Sequence, residues 1–286
     1  MSGPEWNLSG KVALVTGANS GIGFYTALAL AQKGAHTLLG CRSTERGEAA
    51  TARIRRQAPG ANVAVLPLDL ARLESVRAAA NQLLAEQPRL HVLVHNAGIV
   101  TPRRVATPEG FDTQMAVAYW GPFLLTELLR TALVRSAPAR IVNVASDLHR
   151  GAHLQYDDLH HHKRYHFLTS YRRAERAKLL WTAHLARQLD GTGVTVNALH
   201  PGGVRTRLFR NLRGPVGWLF ALSNLLKKGP RAGARLSIEL ASAPALHDKT
   251  GLYFSGRRRM PAATRAHDRD EAQRLYERSL REVGLA

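Results

Sequence analysis

The chain contains a single cysteine, Cys41, and lacks any apolar run of about eighteen residues, the length that a transmembrane helix requires. With one cysteine no intrachain disulfide can form, as is usual for proteins of a reducing compartment. The first ten residues, MSGPEWNLSG, contain neither a basic segment nor an apolar segment, so we expect no secretory signal. These absences predict a cytoplasmic protein without a membrane-spanning helix.

Acidic residues are also scarce. The 286 residues include 40 Lys and Arg but only 21 Asp and Glu, which gives a formal net charge of +19. A field of this sign attracts polyanions such as nucleic acid, anionic lipid and nucleotide phosphates. The basic residues are nevertheless scattered, and neither zinc-finger spacing nor a long basic tail accompanies them. We therefore expect a basic solvated surface rather than specific nucleic-acid binding.

Short apolar segments alternate with longer, alanine-rich helical patterns along most of the chain. Continuous apolar runs of this kind are typical of strands that are buried on both faces of a parallel sheet. The alternation therefore predicts one doubly wound α/β domain over residues 1–286, with a seven-stranded parallel sheet flanked by helices. The strand-like segments are KVALVTG (11–17), HTLLGC (36–41), NVAVLPLDL (62–70), HVLVHNAG (91–98), RIVNVAS (140–146), VTVNALHPG (194–202) and GLYFSG (251–256).

The segment TGANSGIG (16–23) follows the first predicted strand and opens a helix. Gly17, Gly21 and Gly23 permit a tight turn and let backbone amides approach a pyrophosphate. The helix N-terminus adds a favourable dipole and free N–H donors. Its position between a strand and a helix distinguishes this segment from an ordinary glycine turn. It predicts a dinucleotide site.

Arg42 directly follows the second predicted strand, which ends at Cys41. A carboxylate at this place would hold the adenosine 2′-hydroxyl of NAD. A cysteine cannot do so, whereas a guanidinium is well shaped for a phosphate. The sequence therefore predicts that NADP(H) is preferred over NAD(H). The alternative interpretation is that Arg42 is only one cation of a basic surface.

Motifs in a fixed order extend over residues 9–280, and through them the chain resembles the short-chain dehydrogenase/reductase family, in particular its retinol-dehydrogenase-like branch. The resemblance implies a Rossmann-like domain with strand order 3-2-1-4-5-6-7 and an NADP-dependent oxidoreductase activity. The motifs are TGANSGIG, CRSTERGEAA, LDLA, HNAG, GPFLLT, RIVNVAS, LHPGGVRT and TGLYFS.

The same resemblance assigns cofactor contacts to individual residues. One position departs from the family pattern, since His95 replaces the usual asparagine before Asn96. The matching positions are Gly17, Ser20, Gly21, Ile22 and Gly23 in the pyrophosphate loop, Arg42 at the 2′-phosphate, Asp69 and Leu70 beside the adenine, Asn96, Ala97 and Gly98 beside the adenosine half, and Pro201, Gly202, Val204 and Thr206 around the nicotinamide.

The family's proton relay consists of an asparagine, a serine, a tyrosine and a lysine. Ser146 and Tyr171 match the serine and the tyrosine, but Glu175 stands at the lysine position and Ala118 at the asparagine position. An ionised Glu175 disfavours a phenolate, so we expect Tyr171 to stay protonated. Lys178 is a candidate substitute for the lysine. We expect it instead to pair with Glu175 at i,i+3 on the surface.

Two functions are consistent with this altered relay. The first is an oxidoreductase that uses NADP(H) on a bulky apolar carbonyl or alcohol. The second is a degenerate member that binds nucleotide but acts as a lyase, a cyclase, or a non-catalytic sensor or partner-binding protein. The resemblance also implies either a homodimer through helices that contain residues 112–136 and 170–189, or a monomer.

Two further segments invite a functional interpretation. Residues 205–228 form a long insertion whose apolar stripe (218–226) predicts a lid over a lipophilic substrate; contact with a membrane surface is the alternative. The segment HHHKRYH (160–166) has three adjacent histidines without an accompanying acidic ligand pattern. We interpret it as a solvated loop and expect no metal site.

Overall fold

In a computed structural model, residues 7–205, 208, 214, 227–256, 258–262 and 266–286 are described. Within these ranges one sheet runs through the molecule. Its strands, in chain order, are β1 (Val12–Thr16), β2 (His36–Cys41), β3 (Val63–Pro67), β4 (Val92–His95), β5 (Ala139–Val144), β6 (Val194–His200), β7 (Leu252–Ser255) and β8 (Arg258–Pro261).

The strands are arranged in the order β3-β2-β1-β4-β5-β6-β7-β8. The first seven are parallel, which confirms the predicted parallel sheet and its order. The eighth strand is an addition to the prediction: β8 pairs antiparallel with β7, with Met260 opposite Tyr253. Its sequence, RRMP, has no apolar run because an edge strand needs a backbone partner on one side only.

Helices cover both faces of the sheet. Successive strand residues point to opposite faces, so Leu14 packs into the core on one side and Val15 into the core on the other. The helices are α1 (Gly21–Gln32), α2 (Thr44–Gln57), α3 (Leu73–Glu86), a helical turn α4 (Thr113–Met115), a π-helical segment (Ala116–Trp120), α5 (Gly121–Arg135), α6 (Phe167–Gln188), α7 (Pro230–Ser242) and α8 (Ala266–Glu282).

The C-terminal helix α8 packs against α6 and reaches α5. The Tyr276 ring stacks on His184 of α6 with 4.4 Å between ring centroids and meets Phe123 of α5 edge-on at 5.4 Å. Arg176 of α6 also donates to the Glu271 carboxylate at 2.8 Å. Helix α8 thus lies on the two helices for which the family resemblance implies a dimer contact.

The histidine segment is more buried than predicted. His161 is 1% exposed, and its φ of 54° lies in the left-handed region. The His160 ring stacks on Phe111 at 4.6 Å, and its Nε2 lies 3.2 Å from a Glu282 carboxylate oxygen. Apolar and acidic partners distant in sequence therefore bury part of a segment whose composition indicated a solvated loop. Across the described part of the chain, no group of three or more His, Cys, Asp or Glu side chains is placed to hold a metal ion.

Most of the predicted lid, including Thr206 and the apolar stripe at 218–226, lies outside the described residues. The two ends of the insertion are joined: the Arg205 amide donates to the Lys228 carbonyl at 2.9 Å, and the Lys228 amide donates to the Gly203 carbonyl at 3.0 Å. Among the helices that the structure describes, none combines the length and the apolarity needed to cross a bilayer.

Candidate active site

A pocket opens at the carboxyl ends of the parallel strands. It spans the point where the strand order reverses, between β1 and β4, which is where open α/β sheets bind ligands. Its walls include the glycine-rich turn after β1 at one end and Tyr171 of α6 at the other. The fold therefore places the predicted nucleotide loop and the predicted catalytic tyrosine in one cavity.

The glycine-rich turn has the geometry of a pyrophosphate cradle. Gly17 and Gly21 line the pocket and have φ values of 64° and 61°, which favour glycine. A Cβ at Gly23 would lie 2.4 Å from Asn96 Nδ2 and 2.6 Å from the Gly17 carbonyl oxygen. The Ser20 side chain makes no capping hydrogen bond, and first-turn amides of a helix have no partner within the helix. The Ser20 hydroxyl and these amides, including that of Ile22, can hold an anion at the start of α1.

The end of the pocket that is predicted to hold the adenosine is basic, and the sequence analysis found only part of it. Arg42 lines this end, and so do Ser43 and Arg46. The Ser43 hydroxyl caps α2 by accepting from the Arg46 amide at 3.3 Å, so two guanidinium groups and a helix N-terminus meet there. Arg46, four residues after Arg42 in the sequence, could have indicated this second cation. Asp69 and Leu70 also line this end.

The HNAG turn after β4 connects the two halves of the pocket, and Asn96, Ala97 and Gly98 all line it. The Asn96 side-chain amide donates to the Thr16 carbonyl at 2.9 Å and to the Gly17 carbonyl at 3.3 Å. This residue therefore ties the turn to the glycine-rich loop. Of the matched positions after β6, Pro201 lines the pocket.

Tyr171 and Ser146 meet at the far end. Tyr171 projects from α6, Ser146 follows β5, and their side chains are hydrogen-bonded. Tyr171 is 8% exposed. Burial raises the pKa of the phenol, the charge of Glu175 raises it further, and the hydrogen bond from Ser146 acts in the opposite direction. At neutral pH the tyrosine is therefore a proton donor.

Glu175 and Lys178 form a buried ion pair, which corrects the surface location predicted for it. Each residue is 3% exposed, and Lys178 Nζ lies 3.2 Å from the nearer carboxylate oxygen of Glu175. Lys178 Nζ also donates to the Val144 carbonyl of β5 at 2.8 Å. Both side chains line the pocket. Sequence spacing predicted the pairing, but the burial follows from packing α6 against the sheet.

Comparison with known proteins identifies the family to which this site belongs. A family model described as short chain dehydrogenase matches residues 11–216. Retinol dehydrogenase 13 from Homo sapiens is 41% identical over 290 residues, which cover 97% of this chain and 86% of that protein. The chain belongs to the short-chain dehydrogenase family.

Two solved structures place this short-chain dehydrogenase among proteins of the same fold. A putative uncharacterized protein from Mycobacterium Paratuberculosis has a TM-score of 0.77 and 28% identity, covering 98% of this chain and 96% of that one. A short chain oxidoreductase from Pseudomonas aeruginosa PAO1, determined with NADPH, contains an atypical catalytic center. Its TM-score is 0.69 at 26% identity, covering 87% of this chain and 96% of that one.

Two further residues of this short-chain dehydrogenase differ from the family's pattern, Ala118 and His95, and both are buried. Ala118 is 4% exposed within the π-helical segment, and its neighbour Val117 lines the pocket. A methyl group cannot hydrogen-bond a water as an asparagine would. His95 is buried with its Nε2 2.8 Å from the Thr126 hydroxyl. Burial, and then the charge of Lys178, lower the pKa of His95 to about 3, so this histidine stays neutral.

The segment after Ser146 is held by a polar cluster that the sequence analysis missed. The Asp147 carboxylate accepts from the Tyr253 hydroxyl at 2.8 Å and from the Ser255 hydroxyl at 2.9 Å. Arg150 lies 3.6 Å away. Because Tyr253 and Ser255 belong to β7, these bonds fix the backbone next to Ser146. Asp147 follows β5, which pairs with β6, and only the pairing of β6 with β7 brings Tyr253 and Ser255 close to it.

Proposed function

We propose that this short-chain dehydrogenase is an NADP(H)-dependent oxidoreductase that acts on a bulky apolar carbonyl or alcohol. The observation that carries the proposal is the hydrogen-bonded Ser146–Tyr171 pair at one end of a pocket that begins at a glycine-rich pyrophosphate loop. When bound, the nicotinamide cofactor supplies the redox equivalents. Ser146 orients the substrate oxygen, and Tyr171 delivers the proton to it.

The preference for NADP(H) is supported by the charges at the adenosine end. Arg42 and Arg46 both line the pocket there, beside the N-terminus of α2. Guanidinium groups bind phosphate through charge-assisted hydrogen bonds, and a helix N-terminus favours an anion. The ribose of NADH would present only a hydroxyl to these two cations.

An apolar substrate is supported by the surroundings of Tyr171. Val100, Phe167 and Leu208 pack around this residue, and Leu208 belongs to the insertion at 205–228. Leu208 also lines the pocket, which supports a role of the insertion as a lid. Apolar side chains beside the Ser146–Tyr171 pair suit a substrate whose reacting oxygen is attached to a large apolar body. The similarity to a retinol dehydrogenase is consistent with such a substrate.

The location proposed for the enzyme is the cytoplasm. Cys41, its one cysteine, is buried, and burial raises the pKa of its thiol to about 11. A buried, protonated thiol is unreactive, so the chain has no disulfide chemistry that would need an oxidising compartment.

The test is a turnover assay under anaerobic conditions with NADPH and a panel of apolar aldehydes and ketones, followed at the nicotinamide absorbance. We expect oxidation of NADPH that depends on the carbonyl and is lost in Tyr171→Phe. Turnover that survives Tyr171→Phe would contradict the assigned proton donor. Absence of NADPH binding in calorimetry would contradict the proposal that NADP(H) is the cofactor.

The second candidate function is nucleotide binding without net redox chemistry. Two specific observations favour it: Glu175 replaces the family's lysine, and Ala118 replaces its asparagine. The same assay distinguishes the two functions, because this candidate predicts tight NADPH binding with no carbonyl-dependent oxidation.

A further inference from the structure

Three ionisable side chains follow one another along a single face of α6: Tyr171, Glu175 and Lys178. Because an α-helix has about 3.6 residues per turn, positions i, i+4 and i+7 lie on one face. All three side chains line the pocket and are less than a tenth exposed. From the N-terminal end, this face therefore presents a phenol, an anion and a cation.

Contacts on both sides hold the cation at the far end of this row. Lys178 Nζ donates to the Val144 carbonyl at 2.8 Å and to the two Glu175 carboxylate oxygens at 3.2 and 3.4 Å. Along the helix, Glu175 stands between Tyr171 and Lys178. The pair is neutral in sum, but its negative end is the end nearer to the phenol.

We propose that Glu175 and Lys178 act as an oriented charge pair that keeps the Tyr171 hydroxyl protonated at neutral pH and so makes it an acid rather than a base. Glu175 sets the sign of the field, and Lys178 is a positioning residue that keeps Glu175 ionised inside a buried site. In the arrangement implied by the family resemblance, a cation stands where Glu175 is, so the field has the opposite sign. The inference rests on the proposed function, since it concerns the proton that the proposed reaction uses.

Titratable groups on neighbouring elements do not cancel this field. His95 of β4 faces Lys178 and is neutral, because burial and that lysine lower its pKa to about 3. Tyr253 of β7 faces Glu175 and is also neutral, because burial raises its pKa. The next charges at this end, Asp147 and Arg150, lie 3.6 Å apart and offset each other.

The role of Lys178 follows from the cost of burying a lone carboxylate. Burial raises the pKa of Glu175, whereas the charge and the hydrogen bonds of Lys178 lower it. Without this partner, the fully buried carboxyl group would take up a proton and lose its charge. At neutral pH Lys178 therefore preserves the negative charge of Glu175 beside Tyr171.

As a consequence, carbonyl reduction and alcohol oxidation would require different pH ranges. In reduction, the carbonyl carbon would gain a hydride from bound NADPH, leaving NADP⁺, and the carbonyl oxygen would gain the proton from the Tyr171 hydroxyl. Tyr171 is then reprotonated from solvent. In the reverse direction the alcohol must give its proton to a deprotonated Tyr171, so alcohol oxidation is confined to alkaline pH.

The first test is direct titration of Tyr171 in the protein without cofactor. Carbon-13 at the tyrosine Cζ reports ionisation by NMR, and Tyr171→Phe identifies the relevant signal among the seven tyrosines. We expect the Tyr171 signal not to titrate up to pH about 11, above the ordinary tyrosine value of about 10. A Tyr171 signal that titrates below that ordinary value would overturn the proposal.

Two variants separate this proposal from the alternative, in which Lys178 acts directly as the substitute cation. The charge swap Glu175→Lys with Lys178→Glu keeps the pair and the net charge but turns the cation toward the phenol. It should lower the pKa of Tyr171 by about one to three units. Lys178→Met should leave Tyr171 untitrated up to pH about 11, because in that alkaline range Glu175 is ionised even without its partner. If Lys178 itself stabilised the phenolate, Tyr171 would titrate at lower pH in the unmodified protein and Lys178→Met would raise that titration, and the proposal would fail.

The second readout is the pH profile of turnover. We expect the reduction rate of the unmodified enzyme to stay level between pH about 6 and 10, and that of the charge swap to fall above its lowered Tyr171 pKa. A fall at the same pH in both proteins would contradict the proposal. If the swap does not fold, as judged by circular dichroism, the titrations of Lys178→Met and Glu175→Gln decide. Absence of NADPH turnover in the unmodified protein would contradict the proposed function, while the titration still tests the charge pair.

Discussion

Arg46 lines the same pocket as Arg42 and lies on the first turn of α2. We expect Arg46→Ala to weaken NADPH binding by roughly tenfold, the lower part of the range for a hydrogen bond to a charged group, because the site is open to solvent. NADH binding should change little, since NADH carries no 2′-phosphate.

Isothermal calorimetry with both nucleotides checks this prediction. Arg56→Ala is the matched control, because Arg56 is an exposed arginine near the end of the same helix and should leave both affinities unchanged. Equal losses for NADPH and NADH in Arg46→Ala would show that Arg46 does not recognise the 2′-phosphate.

At the scale of elements, the packing of the glycine loop against the HNAG turn depends on the missing side chain of Gly23. A Cβ there would come within 2.6 Å of the Gly17 carbonyl, which is backbone and cannot move aside cheaply. We expect Gly23→Ala to reduce the free energy of unfolding by about 1–3 kcal/mol, a typical cost of overpacking, and to weaken NADPH binding.

Gly229→Ala is the control for this substitution. Gly229 lies at the start of α7 and has a φ of −65°, but a Cβ on it would meet no heavy atom of the described residues within 4 Å beyond its chain neighbours. Denaturant unfolding should show no loss of stability for this variant. A Gly23→Ala protein as stable as the control and with unchanged nucleotide affinity would mean that the loop can open at little cost.

At the scale of the whole molecule, three buried histidines link stability to pH. Burial is the main cause that lowers the pKa of His91 and His184 to about 4 and that of His95 to about 3. In the unfolded chain these groups titrate near pH about 6.5. As the pH falls below that value the unfolded state binds more protons than the folded state, so the free energy of unfolding decreases.

We expect a decrease of about 1 kcal/mol per histidine for each pH unit between pH about 6.5 and 4. His184→Phe should reduce this slope by the contribution of one histidine, because phenylalanine does not titrate. Phenylalanine can keep the stacking on Tyr276. Urea unfolding at several pH values measures the slope, and exposed His162→Phe is the control. An unchanged slope in His184→Phe would show that this histidine is not held neutral.

The oligomeric state is a second property of the whole molecule. Helix α8 of the same chain lies on α5 and α6, and Tyr119 beside α5 is hydrogen-bonded to Ser279 of α8 at 2.8 Å. A second copy could not reach the covered part of α6 without displacing α8. We therefore expect a monomer in light scattering at micromolar concentration. A dimer cross-linked between α5 of two copies would contradict this expectation.

Much of the fold was determined by local patterns in the sequence. Seven apolar runs predicted the seven parallel strands, because a strand that is buried on both faces must be apolar throughout. The order of the motifs, read through the family resemblance, also predicted the order of the strands. The glycine-rich loop was predictable because a tight strand-to-helix turn around a phosphate restricts the residues at its backbone positions.

Other features were decided only by the tertiary structure. Sequence spacing paired Glu175 with Lys178, but whether such a pair faces water or the pocket depends on how α6 packs against β5. The partners of β8 and of His160 are similarly remote: β8 needs β7 beside it, and His160 meets Phe111 and Glu282. A local pattern records the period of a strand or helix, whereas burial and long-range partners arise when segments distant in sequence are brought together. For this reason the residues that match the family's catalytic positions, and the negative charge at Glu175, could be found in the sequence, whereas the burial of the Glu175–Lys178 pair in the pocket was decided only by the fold.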